Sequence, residues 1–173
     1  MANLGSGGSA YDAQLKNSAA ISISYNNYVV GTGGATFSAA SSDHIQINSQ
    51  SLAFGVYGMS FAFWFKGSNE GQWARIFDFG NGAGVNNVIV TFDSGHLSAS
   101  ILSTYYTNAW GAQVEDNTWR HAVWTIDATG TWTFYLNGAE VASGKRGYPD
   151  YVARQFNYLG RSGWDTIRIS VEP

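Results

Sequence analysis

The chain has no cysteine, only two prolines, and only 12 % charged residues across its 173 positions. Without cysteine there is neither a disulfide nor a thiolate metal site, so stability has to come from buried apolar surface. So few charges exclude a helical bundle, whose wet faces need many Glu, Lys and Arg. The nine Lys and Arg are scattered, with Lys145-Arg146 the one adjacent pair, and the formal net charge is −3. A phosphate-binding surface needs clustered positive charge, so nucleic acid is excluded as a partner. Long hydrophobic runs are missing too. The charge-free stretch from Asn17 to Ser42 is broken throughout by Ser, Asn, Thr and Gly, so no membrane insertion is expected. Met1 to Gly8 shows no basic n-region and no apolar h-region, and no signal peptide is visible there.

What is present is aromatic: 10 Phe, 10 Tyr and 7 Trp, beside 21 Gly. That content excludes a disordered chain, which lacks the apolar surface to offset its ordering entropy. The length suits a single domain spanning residues 1–173, with the glycine-rich residues 1–10 as a surface loop or frayed start. Apolar residues recur with a period of two. Phe61, Phe63 and Phe65 alternate with Ala62, Trp64 and Lys66, and Trp73, Arg75 and Phe77 alternate with Ala74, Ile76 and Asp78. Val88, Val90 and Phe92 follow, then Leu97, Ala99 and Ile101; Trp132, Phe134 and Leu136 share one face, and Ile167, Ile169 and Val171 close the chain. Asn137-Gly138, between two such runs, is the pair preferred in type I′ hairpin turns, because both residues accept positive φ. Short strands at intervals of about 8–12 residues, with no helical stripe, predict an all-β, two-sheet antiparallel sandwich.

Several local patterns then point to one family. Asn3 to Gly8 followed by Tyr11-Asp12-Ala13-Gln14-Leu15 resembles an "SGNG…DG-x-L" opening, and Gly34 to Phe37 with Asp43 to Ile47 resembles a "G-x-A-x-x-F…Y-V-x-I" pair. Phe61 to Lys66 resembles "F-T-I-S-x-W-V-K", and Trp119-Arg120-His121-Ala122-Val123 resembles "W-x-H-V-A". Phe134 to Gly138 resembles "L-Y-V-N-G", and Tyr158 to Ser162 resembles "x-I-G-R-S". In this order they resemble the concanavalin A-like lectin/glucanase jelly roll in its laminin-G-like (LamG type 3) branch. The resemblance implies a jelly roll that binds carbohydrate or serves adhesion outside a cell, at a cell surface or on a virion. It departs from the pattern at the ends: the chain starts almost at the opening motif, and Trp164-Asp165-Thr166 runs straight into the final strand. A sheet shortened in this way exposes an edge, which a neighbouring chain or an extra local turn is expected to cover.

The glucanases of this fold use an E-x-D-x-x-E strand. None of the twelve acids here stands at i,i+2 or i,i+4 from another, so the paired carboxylates of a retaining glycosidase are not supplied by one strand. No catalytic residue is assigned; a glycoside hydrolase and a structural assembly protein of a virion or cell surface are the alternatives to a binding module. His44, His96 and His121 stand alone, which argues against zinc. His121 is expected to hydrogen-bond inside the sandwich. No cofactor is required. Calcium is a candidate ion because laminin-G-like relatives sometimes hold one at the sheet rim, and Asp78, Asn81, Asn86 and Asn87 could supply oxygens, although a self-capped polar turn accounts for the same residues.

A sugar needs flat aromatic faces together with planar amides, carboxylates or Arg. Such residues in turn-rich sequence are Tyr105, Tyr106 and Trp110; then Tyr148 and Tyr151; then Arg161 and Trp164. They are the candidate ligand-binding residues for a glycan or glycoprotein. Arg75 joins them if its guanidinium faces the open sheet, while pairing with Asp78 is the alternative. Trp64, Trp119, Trp124 and Trp132 sit inside strands and are assigned to the core. Trp110→Ala is therefore expected to weaken ligand binding with little loss of stability, whereas Trp124→Ala costs ~3–5 kcal/mol, as core truncations do; denaturant melts of the two variants check the contrast.

Overall fold

A computed structural model describes residues 9, 12–17, 20–22, 29–31, 33–38, 40–47, 53–55, 57–102 and 113–164. Their strands are β1 (Ala13–Lys16), β2 (Ala20–Ser22), β3 (Gly34–Thr36), β4 (His44–Ile47), β5 (Met59–Phe65), β6 (Arg75–Gly80), β7 (Val88–Asp93), β8 (His96–Ile101), β9 (Arg120–Ile126), β10 (Thr131–Leu136), β11 (Ala139–Lys145) and β12 (Phe156–Leu159). Among the described residues there is no α-helix. One sheet runs β1-β4-β12-β6-β7-β8, the other β11-β10-β9-β5, and β2 pairs with β3 in a separate ribbon. All recorded pairings are antiparallel. The architecture is the expected all-β open sandwich.

Local sequence explains the pairings. β10 and β11 meet at Leu136↔Ala139, leaving Asn137 (φ 50°) and Gly138 (φ 83°) as the two-residue turn, the left-handed pair a type I′ turn requires. The alternating apolar residues of both sheets face each other. Phe77, Phe79, Val88, Val90, Phe92, Leu97, Ala99 and Ile101 come from the larger sheet, and Trp124, Ile126, Trp132, Phe134 and Leu136 from the smaller one. Trp124 and Trp132 are fully buried with ring centroids 4.8 Å apart, and the Trp132 indole N–H donates to Gly147 O at 2.8 Å. Such a partner is what a buried indole needs.

Two tryptophans depart from the core assignment. Trp64 is 42 % exposed and Trp119 is half-buried under the Lys66 ammonium. The cause is strand parity: Phe61 and Phe63 point into the core and pack on Phe77, so Ala62 and Trp64 must point out. His121 is corrected for the same reason. Its neighbour Ala122 is buried, so the imidazole projects outward and lies 5.1 Å from the Trp64 ring.

Arg75 and Phe77 do not share a face either. A register shift sets Arg75 opposite Thr91 but Phe77 opposite Val90. Adjacent residues on β7 point to opposite sides, so the bulge sends the Arg75 side chain outward and the Phe77 ring inward.

The two sheets differ in width. Among the described strands β5 is the last of the smaller sheet, and it lies over β6, because Phe61 contacts both Phe77 and Phe79. β12, β4 and β1 extend the larger sheet beyond it. Over this overhang lies a cleft of about 470 Å³. Ile45, Leu159 and Phe77 line it from the larger sheet, Phe63 and Trp64 from β5, and Phe37 from the segment beside the ribbon.

Candidate functional site

One end of the sandwich is built around residues 81–87, which join β6 to β7. Asn81 Nδ2 donates to Ala153 O at 2.7 Å, and Asn81 Oδ1 accepts the Gln155 N–H at 3.0 Å. Between those two positions, Arg154 is 0 % exposed. Its Nε donates to Asn86 O at 2.8 Å, Nη2 to Asp150 O at 2.9 Å and Nη1 to Val152 O at 3.3 Å. The guanidinium carbon also lies 4.6 Å from the centroid of the Phe54 ring. Main-chain carbonyls and a ring face thus surround this cation. Burial lowers its pKa, and the charge of Asp150 pulls it back up. A planar fork with five donors suits this task; a lysine does not.

The third segment of this end is residues 53–58. Gly55 has φ 107°, and a Cβ there would collide with Pro149 Cγ, so the close approach of the two loops requires glycine. On these tied loops stand Tyr57 at 89 % exposure, Tyr151 at 68 % and Val85 at 48 %, and Phe156, which opens β12 next to Gln155, is 42 % exposed. Tyr151 is a residue singled out from the sequence; Tyr57, Val85 and Phe156 are not. The available signal for Tyr57 was its place between two turn glycines, Gly55 and Gly58, both at positive φ. Val85 likewise sits in a Gly/Asn loop, where an apolar side chain has no strand to pack on.

The other candidates fall into two groups. Trp164 lies 5.3 Å from the Arg75 guanidinium, and a Cβ on Gly84 would stand 3.7 Å from its indole Cζ2. Trp164 therefore belongs with the 81–87 loop, as does Tyr151. Arg161 is elsewhere: its guanidinium covers Tyr158 at 5.1 Å, and Nη1 stands 3.4 Å from His44 Nε2. Tyr148 is half-buried and packs against the core. Tyr105, Tyr106 and Trp110 lie outside the described residues.

Arg75 takes the paired arrangement. It is 4 % exposed, donates to Trp73 O, and places Nε 3.6 Å from Asp78 Oδ2. Asp78 is fully buried, and each of its oxygens accepts an N–H: Oδ1 from Asn87 Nδ2 at 2.7 Å, Oδ2 from Gly163 at 2.8 Å. Burial raises its pKa, opposed by those two donors and by Arg75. The oxygens considered for calcium at Asp78 and Asn81 thus already bind N–H groups in the polar-turn manner. Among the described residues, no group of three or more His, Asp or Glu is close enough to hold a metal ion.

At the opposite end of β6, two acidic residues from different parts of the chain each accept a backbone N–H. Glu115 Oε1 accepts the Glu70 N–H at 3.0 Å, and Glu70 Oε1 accepts the Ser68 N–H at 2.7 Å. These contacts cap the loop that enters β6.

His44 has its Nδ1 3.1 Å from Ser42 O and its ring edge-on to Tyr158 at 5.6 Å. With the proton on Nδ1 donated to Ser42 O, Nε2 is left to accept from Arg161. Burial lowers the imidazole pKa below 6.5; the Ser42 carbonyl and Asp43 oppose this, and Arg161 and Lys16 add to it.

Residues 38–169 match the family model described as the concanavalin A-like lectin/glucanases superfamily, Laminin_G_3. No curated protein matches the chain. Among solved structures, it is similar to domain 4 of an extracellular arabinanase from Geobacillus stearothermophilus, in complex with arabinotriose. The identity is 17 % and the TM-score 0.69, over 96 % of this chain and 81 % of that one. It is also similar to botulinum neurotoxin type C, whose cell entry depends on interaction with two ganglioside molecules, at 11 % identity and TM-score 0.59, over 94 % of this chain and 39 % of that one. A third is the mouse laminin alpha1 chain, domains LG4-5, at 15 % identity and TM-score 0.52, over 74 % and 36 %. At these identities the likenesses establish the shared fold, and this chain spans well under half of the neurotoxin and laminin chains.

Two outcomes follow from the geometry. Arg154→Met removes charged hydrogen bonds from a buried guanidinium to three main-chain carbonyls and is expected to cost about 3 kcal/mol in a denaturant melt. The unfolded chain protonates His44 near 6.5 and the folded chain only at lower pH. The stability this gives is complete above that value and is lost as pH falls through the folded pKa. Melting temperatures from pH 7.5 to pH 5 should therefore fall more steeply for the parent than for His44→Gln.

Proposed function

The chain belongs to the concanavalin A-like lectin/glucanases superfamily, as a Laminin_G_3 domain, and on that premise we propose that it is a non-catalytic module binding a glycan or glycosylated partner. The observation that carries this reading is the rim of exposed rings at the end of the sandwich whose loops the hydrogen bonds of Arg154 and Asn81 tie together. Tyr57, Tyr151 and Phe156 are exposed, while Arg154 and Asn81 beneath them are fully engaged. Rings on a rigid support can stack on the apolar face of a sugar without losing loop entropy on binding. The arabinotriose complex of a structural neighbour, at 17 % identity, supports a neutral oligosaccharide as the first ligand class to try.

The non-catalytic part of the reading rests on the carboxylates. Asp78 is enclosed by N–H donors and Arg75, and Glu70 and Glu115 serve backbone N–H groups. Binding is proposed to need no calcium, since the buried Asp78 carboxylate and the Asn81 side-chain oxygen already accept N–H hydrogen bonds. A place outside the cell, on a cell surface or a virion, accords with this chemistry. Weak affinity per site would make several copies act together.

The test is thermal. A ligand that binds the native state alone must raise the melting temperature. Within a panel of neutral oligosaccharides including arabinotriose, at least one member should raise it with and without a chelator. Tyr151→Ala should weaken that response at least tenfold in ligand concentration while leaving the unliganded melting temperature within about 1 °C, because the side chain is largely exposed. No shift with any sugar, or release of reducing ends from one of them, would contradict the proposal.

A further inference from the structure

The outward side of the larger sheet holds an arginine with no acid beside it. Arg75 meets Asp78, Arg120 meets Asp116, and Arg154 is capped by three carbonyls. Arg161 is placed differently. Its guanidinium lies over the Tyr158 ring at 5.1 Å, and Nη1 approaches His44 Nε2 at 3.4 Å, beyond the ~2.7–3.2 Å of a strong hydrogen bond. Strand parity sets the surroundings. Ile45 pairs with Leu15 and Leu159 and is buried on the cleft side, so His44, Gln46 and Tyr158 face outward. Gly160, at φ 75°, interrupts the alternation and brings Arg161 back over Tyr158. Lys16 is the cross-strand partner of His44 and shares its face, where its ammonium donates to Gln14 Oε1 at 2.7 Å. Among the described residues, neither Lys16 nor Arg161 is ion-paired with a carboxylate. Asp43, next to His44 in the chain, is buried, and its Oδ2 accepts the Ser38 N–H at 3.2 Å.

We propose that Lys16, His44 and Arg161 form a binding site for an oxyanion, the carboxylate of a uronate or the sulfate of a sulfated sugar. Two cations on one side of a sheet repel each other, and an anion between them turns that repulsion into attraction. The planar guanidinium of Arg161 matches two oxygens of such a group at once, and the Lys16 ammonium adds a point charge. Gln14 and Gln46, paired with each other in the next row of the sheet, offer amides for neighbouring hydroxyls. The site is separate from the rim. Five residues along the chain divide Arg161 from Phe156, about 16 Å at ~3.3 Å per residue. The rim has rings over a fully buried Arg154, whereas this site works by charge, so either can fail without the other. His44 is its sensor. Lys16 faces the imidazole from β1, Tyr158 and Arg161 from β12 and its continuation, and Asp43 from the start of β4; burial and the two cations hold the ring neutral against Asp43 and the Ser42 carbonyl. An arriving anion cancels the push of the cations, so anion binding and proton uptake by His44 favour each other, and affinity rises as pH falls.

Histidine titration by NMR on the full chain tests this, from pH 8 to pH 5 in sodium chloride, sodium sulfate or sodium glucuronate at equal ionic strength, with glucose as the neutral comparison. At least one of the two oxyanions should raise the His44 midpoint by about 0.5 pH unit, equivalent to about threefold tighter binding to the protonated protein. The stronger of the two identifies the group as sulfate or carboxylate. His96 and His121 are internal references in the same spectra, and Lys16→Gln/Arg161→Gln should lose the effect at His44. No movement of His44 with either anion, or an equal movement of all three histidines, would overturn the proposal from the unsubstituted chain alone. An effect that survives in the double variant would overturn it as well.

Discussion

Arg154 is the constraint on which the loop end of the molecule depends. It is a buried cation surrounded by the carbonyls of Asn86, Asp150 and Val152 and by the face of Phe54. These partners come from three connections that share no strand, so one side chain fixes the relative positions of loops that would otherwise move separately. Asn81 adds a second tie between two of them. Tyr57 and Tyr151, both exposed, stand on the loops these polar contacts tie together, and Phe156 stands beside them at the start of β12.

The sandwich beneath supplies the stiffness. Trp124, Trp132 and Phe134 pack within one sheet, and Phe77 and Phe79 stack at 4.8 Å in the other. Phe61 bridges them, with centroids 4.8 Å from Phe77 and 5.6 Å from Trp124. This aromatic core takes the place of the disulfides that the sequence lacks. Among the described residues the smaller sheet has four strands and the larger six, and the buried core gathers over β6, β7 and β8.

Much of the fold was legible in the sequence because strand parity and turn chemistry are local. Asn137-Gly138 predicted its hairpin, and the alternating Phe61, Phe63 and Phe65 predicted an inward face. Parity also held the information that Trp64 points outward, but a tryptophan inside a strand reads as core when its opposite face is taken to be covered. The β6 bulge was not legible: Arg75 and Phe77 look like same-face residues until the register shift against β7 is seen. The site was legible in part. Tyr151 and Trp164 were visible as aromatics in turn-rich sequence, whereas the role of Arg154 depends on carbonyls as far as 68 residues away and leaves no pattern in the chain around it.

The central claim is that the loop end held by Arg154 is the surface that meets a glycan. Chemical-shift mapping by NMR during titration with an oligosaccharide that raises the melting temperature tests it directly. The account predicts perturbations gathered at Tyr57, Val85, Tyr151, Phe156 and Trp164, with β5 and the cleft residues Phe63 and Leu159 unmoved. Perturbations centred on the cleft, or spread evenly over both sheets, would contradict it.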